Sequence, residues 1–314
     1  MQYKPFGKTG LNISKMALGT WGMGGAGWDQ YPKETRIDAI LAAIENGVNL
    51  IDTAPAYNAG AAEKLVGEAL AKNGLRDQVY ISTKCGNEFI DGKYVRNGRP
   101  ERILSLCEES LDRLQTDHVD IMLVHWPDPN VPFSETMPAL AQLKTEGKIR
   151  HIGVSNFSKE QIEEAAQYCD IEVIQPQYSM VVRQAEPLMQ WAVENGLATM
   201  AYGALGGGIL TGRYRKAQEY PEMDSRNRFY KFFKEPAFSN VMKLLAVMDQ
   251  IAEKRGVPVA QVALNWTARK EFVSTCLVGA QTRDKIEQNT AAFTWQLDPE
   301  EIRVLDQAVA LLEA

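Results

Sequence analysis

Val48-Asn49-Leu50-Ile51-Asp52-Thr53-Ala54-Pro55-Ala56-Tyr57 reads as a short apolar strand that stops on a carboxylate, with a phenol in the loop beyond it. The same pattern recurs twice downstream. Val79–Lys84 ends on an ammonium, and Val119–His125 ends on an imidazole. Three successive buried strands tipped by Asp52, Lys84 and His125, with Tyr57 just past the first tip, describe one mouth of a barrel. In a (β/α)₈ barrel, chemistry gathers at the carboxyl ends of the strands and the opposite face stabilises.

Working outward, strand and helix patterns alternate along nearly the whole chain. Further strand-like runs lie at Lys15–Gly19, Ile149–Ser155, Val173–Gln177, Ala198–Tyr202 and Val273–Val278. Most are continuously apolar, as parallel strands covered by helices require. Helical periodicity falls between them, at Lys33–Asn46, Ala61–Ala71, Pro100–Leu114, Phe133–Glu146, Lys159–Tyr168, Ala185–Asn195, Ser239–Arg255, Val259–Arg269 and Thr282–Ala292. Eight such units predict an α/β fold, a (β/α)₈ TIM barrel. A hairpin ahead of it, Tyr3–Phe6 with Leu11–Ile13, is expected to plug the bottom. The tail Asp298–Leu312 predicts one extra C-terminal helix, with Asp298 as cap and Pro299 in its first turn. No linker or break in composition divides residues 1–314, which read as a single domain.

A net charge of −6 argues against a general nucleic-acid or anionic-membrane surface. No apolar run nears the roughly 20 residues needed to span a bilayer. Cys85, Cys107, Cys169 and Cys276 have no C-x-x-C spacing and read as reduced thiols of a cytoplasmic, metal-free protein. A monomer is slightly favoured.

Two dinucleotide motifs point elsewhere. Gly22-Met23-Gly24-Gly25-Ala26-Gly27 matches G-x-G-x-x-G, but Trp28–Pro32 intervenes where the last glycine of a Rossmann turn opens its helix. Tyr80 and Lys84 match Y-x-x-x-K, which works on a helical face. On a strand the two lie about 13 Å apart, at roughly 3.3 Å per residue, too far to cooperate.

The four tip residues make a proton donor. A phenol titrates near 10, so it is a weak acid at neutral pH unless its anion is stabilised. A buried ammonium lowers that pKa, and a carboxylate keeps the ammonium charged and oriented. A neutral imidazole beside the phenol can orient a carbonyl. The parts suit protonation of a carbonyl oxygen while hydride arrives from elsewhere.

At these residues the chain resembles the aldo-keto reductase superfamily. The likeness runs through Leu18-Gly19-Thr20-Trp21, residues 47–57, Ser82-Thr83-Lys84, residues 117–126, Gly153-Val154-Ser155-Asn156-Phe157 and Gln175-Pro176-Gln177-Tyr178. The resemblance implies a reductase interconverting an aldehyde or ketone and its alcohol with NADP(H), or with NAD(H) as the alternative. By it, Tyr57 is the general acid, Asp52 and Lys84 tune it, and His125 positions the carbonyl. Gly19, Thr20, Trp21 and Asp52 are expected at the cofactor. Ser155, Asn156 and Gln177 match residues that bond the nicotinamide carboxamide, and Tyr202 matches the aromatic that stacks on the ring, with Gly203 beside it.

The loop after the seventh strand carries Leu205, Gly207, Thr211, Gly212 and Arg213, where glycines admit a pyrophosphate and the guanidinium pairs with it. After the eighth strand, Gly279, Gln281, Arg283 and Lys285 open a helix whose N-terminus suits a 2′-phosphate, and Gln288 and Asn289 correspond to adenine contacts. Gly279-Ala280 stands where some relatives carry a lysine-serine pair, which weakens the preference for NADP(H) over NAD(H). Trp21, Tyr57, His125, Trp126 and Phe89 are expected to wall the small carbonyl or alcohol substrate, with Trp28, the loop 85–99 and the segment 214–236 beyond them. The family also includes potassium-channel β subunits, cofactor-binding regulatory modules with little turnover. A long segment before the barrel would favour that alternative, and here the first hairpin starts at Tyr3.

Overall fold

A computed structural model of the protein describes residues 1–25 and 27–312, so Ala26 of the glycine stretch 22–27 lies outside the described residues. The chain begins with an antiparallel hairpin, β1 (Tyr3–Pro5) against β2 (Asn12–Ser14). The ten strands that follow are short parallel strands or the rim hairpin between them. They run β3 (Met16–Gly19), β4 (Leu50–Asp52), β5 (Tyr80–Cys85), β6 (Asn87–Ile90), β7 (Lys93–Arg96), β8 (Val119–Val124), β9 (Ile149–Ser155), β10 (Val173–Gln175), β11 (Ala198–Ala201) and β12 (Thr275–Val278).

Strands β3, β4, β5, β8, β9, β10, β11 and β12 pair in parallel, each with the next along the chain, and β12 closes on β3. The result is a (β/α)₈ barrel. Helices α1 (Trp21–Gly24), α2 (Lys33–Glu45), α3 (Ala61–Asn73), α4 (Pro100–Leu114), α5 (Phe133–Thr145) and α6 (Lys159–Ala165) belong to the first half. The second half holds α7 (Glu186–Glu194), α8 (Ser225–Arg228), α9 (Ala237–Arg255), α10 (Val259–Ala268) and α11 (Arg283–Ala291), followed by the extra helix α12 (Pro299–Ala310). Asp298 caps α12 in a capping box with Glu301, Pro299 taking the first position where a missing N–H costs nothing.

The run expected over Val173–Gln177 stops at Gln175. Pro176 has no N–H to give a ladder, so the strand ends there and its carbonyl instead accepts from Tyr202 N at 3.0 Å. Inside the loop 85–99, the antiparallel hairpin β6–β7 turns at Asp91-Gly92, both with positive φ.

Side chains alternate between the two faces of each strand. Inward positions are Leu50 and Asp52 on β4, Ser82 and Lys84 on β5, Ile121 and Leu123 on β8, and Val173 and Gln175 on β10. The lower layers are apolar: Ala17, Leu50, Ile121, Leu123, Val173, Ala198, Met200 and Leu277 form one buried cluster. Phe6 and Ile13 of the first hairpin complete that cluster from below, both fully buried. The top layer is polar. The fold thus gathers Asp52, Ser82, Lys84 and Gln175 at one end of the cylinder.

Gly153 on β9 is the tightest point of the wall. A Cβ built there would lie 2.4 Å from Leu123 Cδ2 and 2.5 Å from the carbonyl oxygen of Val173. Gly153→Ala is therefore expected to destabilise the barrel by about 2 kcal/mol through overpacking, read as a lower urea midpoint at unchanged m-value. An unshifted midpoint would contradict this account of the glycine.

Candidate active site

Register sets the site. Asp52 on β4 is level with Ser82 on β5, Cys85 with Val124 on β8, and Ser155 on β9 with Gln175 on β10. The strand ends therefore bring Asp52, Lys84, Ser155 and Gln175 to one rim, with His125 one residue past β8. The loop after β4 returns Tyr57 over them.

Lys84 is fully buried, and its Nζ makes three bonds: to Asp52 Oδ2 at 2.7 Å, to the Thr53 carbonyl at 2.8 Å and to Tyr57 Oη at 3.1 Å. Asp52 is held in turn on its other oxygen by Ser82 Oγ at 3.0 Å and Gln175 Nε2 at 2.9 Å. The donors and acceptors that this buried ion pair needs are thus supplied from β4, β5, β10 and the loop after β4. Burial lowers the Lys84 pKa, and the charge of Asp52 opposes that shift. The sequence led us to expect a lowered phenol pKa at Tyr57. In the folded protein it is raised well above the ordinary value, by burial first and the Asp52 charge second. The reason is electrostatic: Asp52 offsets most of the field of Lys84, so desolvation of the phenolate dominates.

His125 meets Tyr57 edge-on, ring centroids 5.9 Å apart. Its Nδ1 is buried without a hydrogen-bond partner among the described residues, while the ring contributes to the cavity wall. Burial first, and the Lys84 charge second, hold its pKa well below the usual imidazole value, so the ring is neutral. On the opposite side, Tyr202 Oη donates to Asn156 Oδ1 at 2.8 Å. Asn156 Nδ2 donates to Ser155 Oγ and to the His125 carbonyl, each at 3.0 Å, and Ser155 Oγ donates to the Gln175 carbonyl at 2.8 Å. Asn156 adopts φ 61°, a left-handed conformation asparagine tolerates better than most residues.

A cavity of about 810 Å³ runs from this rim across the barrel mouth. Of the residues singled out in the sequence, Gly19, Thr20, Trp21, Asp52, Tyr57, His125, Trp126, Ser155, Asn156, Tyr202 and Gly203 line its deep end. Leu205, Gly207, Thr211, Gly212, Arg213, Gly279, Gln281, Lys285, Gln288 and Asn289 line the rest. Lys84 sits behind the wall and touches the cavity through Tyr57. Three residues fall elsewhere. Gln177 lies past the end of β10, bridged to Tyr202, and Gln175 occupies the cavity in its place. Gln175 and Gln177 share the parity of inward Val173, so alternation leaves both open and the stop at Pro176 decides between them. Phe89 is not in the wall; it packs against Tyr94, which is. Arg283 is bonded to Asp38 and Glu45 on α2 and does not reach the cavity.

The structure also adds groups that no motif indicated. Asp29 lies 3.1 Å from Arg213 and 3.2 Å from Arg226, and its carbonyl accepts from Gln281 Nε2 at 2.9 Å. Tyr31 Oη accepts from Lys285 Nζ at 3.0 Å. Trp21 stacks with Tyr57 at 6.3 Å and meets Trp28 and Phe229 edge-on, making an aromatic wall above the phenol.

Residues 15–310 match the Aldo/keto reductase family. The chain belongs to that family. It is 37% identical to the aldo-keto reductase YhdN of Bacillus subtilis over 96% of this chain and 91% of the relative. It is 33% identical to the NADH-specific methylglyoxal reductase of Escherichia coli over the full length of both. Among solved structures, the glycerol dehydrogenase of Gluconobacter oxydans superposes with a TM-score of 0.88 at 32% identity, covering 98% of this chain and 95% of its own.

The cofactor of this aldo/keto reductase is NAD(P)(H). The cavity residues fit such a molecule. Its wall combines an aromatic ring, amide and hydroxyl groups, and the consecutive glycines Gly207 and Gly208 at φ 66° and 98°. Two lining residues, Trp28 and Gln281, each keep a buried polar atom with no partner among the described residues.

The neutral state of His125 has a measurable consequence. Because its folded pKa is depressed, the unfolded chain takes up this proton first as pH falls. Its contribution to stability is complete above about pH 6.5 and declines by roughly 1.4 kcal/mol per pH unit below that, until the folded ring itself titrates. His125→Gln is expected to flatten the loss of urea stability between about pH 6.5 and 5; a slope matching the parent would contradict the assignment.

Proposed function

We propose that this aldo/keto reductase interconverts small aldehydes or ketones and their alcohols, with Tyr57 as the group that exchanges a proton with the carbonyl oxygen. The observation that carries this reading is the chain Tyr57–Lys84–Asp52, linked at 3.1 and 2.7 Å and sealed from solvent on its inner side. When bound, the nicotinamide cofactor supplies or accepts the hydride.

Burial keeps Tyr57 protonated and ready to donate. As its proton leaves, negative charge grows on an oxygen already at hydrogen-bond distance from the Lys84 ammonium. Asp52 and the Thr53 carbonyl fix that ammonium in place, so no reorganisation is needed when the charge develops. Neutral His125 faces the same space and can direct a carbonyl oxygen toward the phenol. Ser155, Asn156 and Gln175 present hydroxyl and amide groups for the carboxamide of the nicotinamide. Gln175 replaces Gln177 in that role because it is level with Ser155. Tyr202 supplies an aromatic face beside them. Trp21, Trp126 and Tyr94 bound the substrate end.

At the far end, Lys285 carries the preference for NADP(H). Arg283 spends its charge on Asp38 and Glu45, which leaves one cation for a 2′-phosphate and makes NAD(H) a workable second cofactor. A relative that is an NADH-specific methylglyoxal reductase, and a structural neighbour that is a glycerol dehydrogenase, support small oxygenated substrates.

Steady-state oxidation of NADPH and NADH over a panel of aldehydes tests the activity. Tyr57→Phe is expected to lower kcat by at least about 100-fold while cofactor affinity stays within about twofold; a variant that keeps parental turnover would exclude Tyr57 as donor. Lys285→Ala is expected to weaken NADPH binding about tenfold and NADH binding far less, since only the former loses a charge-assisted bond. Equal loss for both cofactors, by fluorescence titration, would remove this lysine from the 2′-phosphate site.

A further inference from the structure

The hairpin β6–β7 stands on the rim directly after the strand that delivers Lys84. Its register pairs Asn87 with Arg96 and Phe89 with Tyr94, so these four side chains share one face. Glu88 and Val95 share the other. The division is visible in their partners: Glu88 is ion-paired with Arg102 of α4, whereas Asn87, Tyr94 and Arg96 line the substrate end of the cavity.

Three arginines line that cavity, and two are already matched. Arg213 lies 3.1 Å from Asp29, and Arg226 lies 2.6 Å from Asp224 and 3.2 Å from Asp29. Arg96 has no carboxylate within ion-pair distance among the described residues. Its guanidinium lies over the Trp126 ring at 5.2 Å, and one N–H reaches the Pro127 carbonyl at 3.3 Å. Stacking fixes the plane of a guanidinium and leaves its remaining N–H groups free to bind. Asn87 is only 5% exposed, and among the described residues its side chain makes no hydrogen bond. Trp126 follows His125 in the chain, and Asn87 comes three residues after Lys84, so this pair borders the carbonyl site.

We propose that Asn87 and Arg96 form an anion subsite that selects carbonyl substrates bearing a phosphate or carboxylate a few atoms from the reacting C=O. The proposal rests on the carbonyl-reductase reading above. An oxyanion would give Arg96 the counter-charge it lacks, through paired charge-assisted N–H bonds, and would take the Asn87 amide as a further donor. Held at that point, the far end of a short substrate would orient its carbonyl toward Tyr57 and His125.

The test is kcat/KM of the holoenzyme on two matched pairs: succinic semialdehyde against butanal, and glycolaldehyde phosphate against glycolaldehyde. The parent is expected to favour the charged member of at least one pair by about tenfold or more, and the pair that responds identifies the carboxylate or the phosphate. Arg96→Met is expected to abolish that preference, chiefly by raising KM for the charged aldehyde, with the neutral one changed less than about threefold. Arg96→Lys is expected to restore part of it. Reduction of the neutral aldehydes without any charge preference would overturn the subsite alone, as would an equal loss on both members in Arg96→Met. Absence of turnover with all four aldehydes would overturn the carbonyl-reductase reading and the subsite with it.

Discussion

A lysine ammonium fully shielded from solvent is the constraint on which the rest of this molecule turns. Moving such a charge out of water costs several kcal/mol even after relaxation, and removing one partner of a buried pair costs about 3–5 kcal/mol. Here the cost is offset because Asp52 faces Lys84 at 2.7 Å while Ser82 and Gln175 hold the carboxylate from behind. Those groups come from three strands, two of them neighbours and the third across the barrel. Only a closed cylinder brings β10 opposite β4 at that distance. Closure and chemistry are therefore the same geometric requirement, which explains why the polar layer sits at one end only.

The near-cancellation of charge within this pair decides how the phenol behaves. A lone ammonium would pull the Tyr57 proton off; an ammonium already matched by a carboxylate does not. Tyr57 instead rests as a neutral phenol, raised by burial, beside a cation whose value is realised only when negative charge reaches the oxygen. In the proposed reaction, such an arrangement favours the transition state over the resting state. His125 obeys the same logic from the other side. Burial and the nearby Lys84 deny it a proton, so it presents a neutral ring to the phenol.

How much of this could be read from the chain follows from which forces are local. Asp52, Lys84 and His125 were legible because each ends an apolar run, and a strand end in a parallel barrel is a fixed place. The hairpin β1–β2 and the capping of α12 were legible for the same reason, since turn and cap residues act within a few positions. Gln175 was missed for Gln177 because the stop imposed by Pro176 shortens β10, and a run of Val-Ile-Gln-Pro-Gln gives no end point without it. Arg283 looked free because its acidic partners, Asp38 and Glu45, are about 240 positions away in sequence and meet it only when α11 packs on α2. The hairpin β6–β7 was hidden by mixed composition: Lys93-Tyr94-Val95-Arg96 buries none of its side chains in the core and carries no apolar alternation. Asp29 had no motif at all, and its pairing with Arg213 and Arg226 is a product of loop placement.

The buried floor made by Phe6 and Ile13 carries a consequence for traffic. With the lower end stoppered by hydrocarbon, the cavity at the upper rim cannot be reached through the barrel from below. Any molecule that meets the phenol therefore has to come in past the strand tips, where the polar layer is the first thing it encounters.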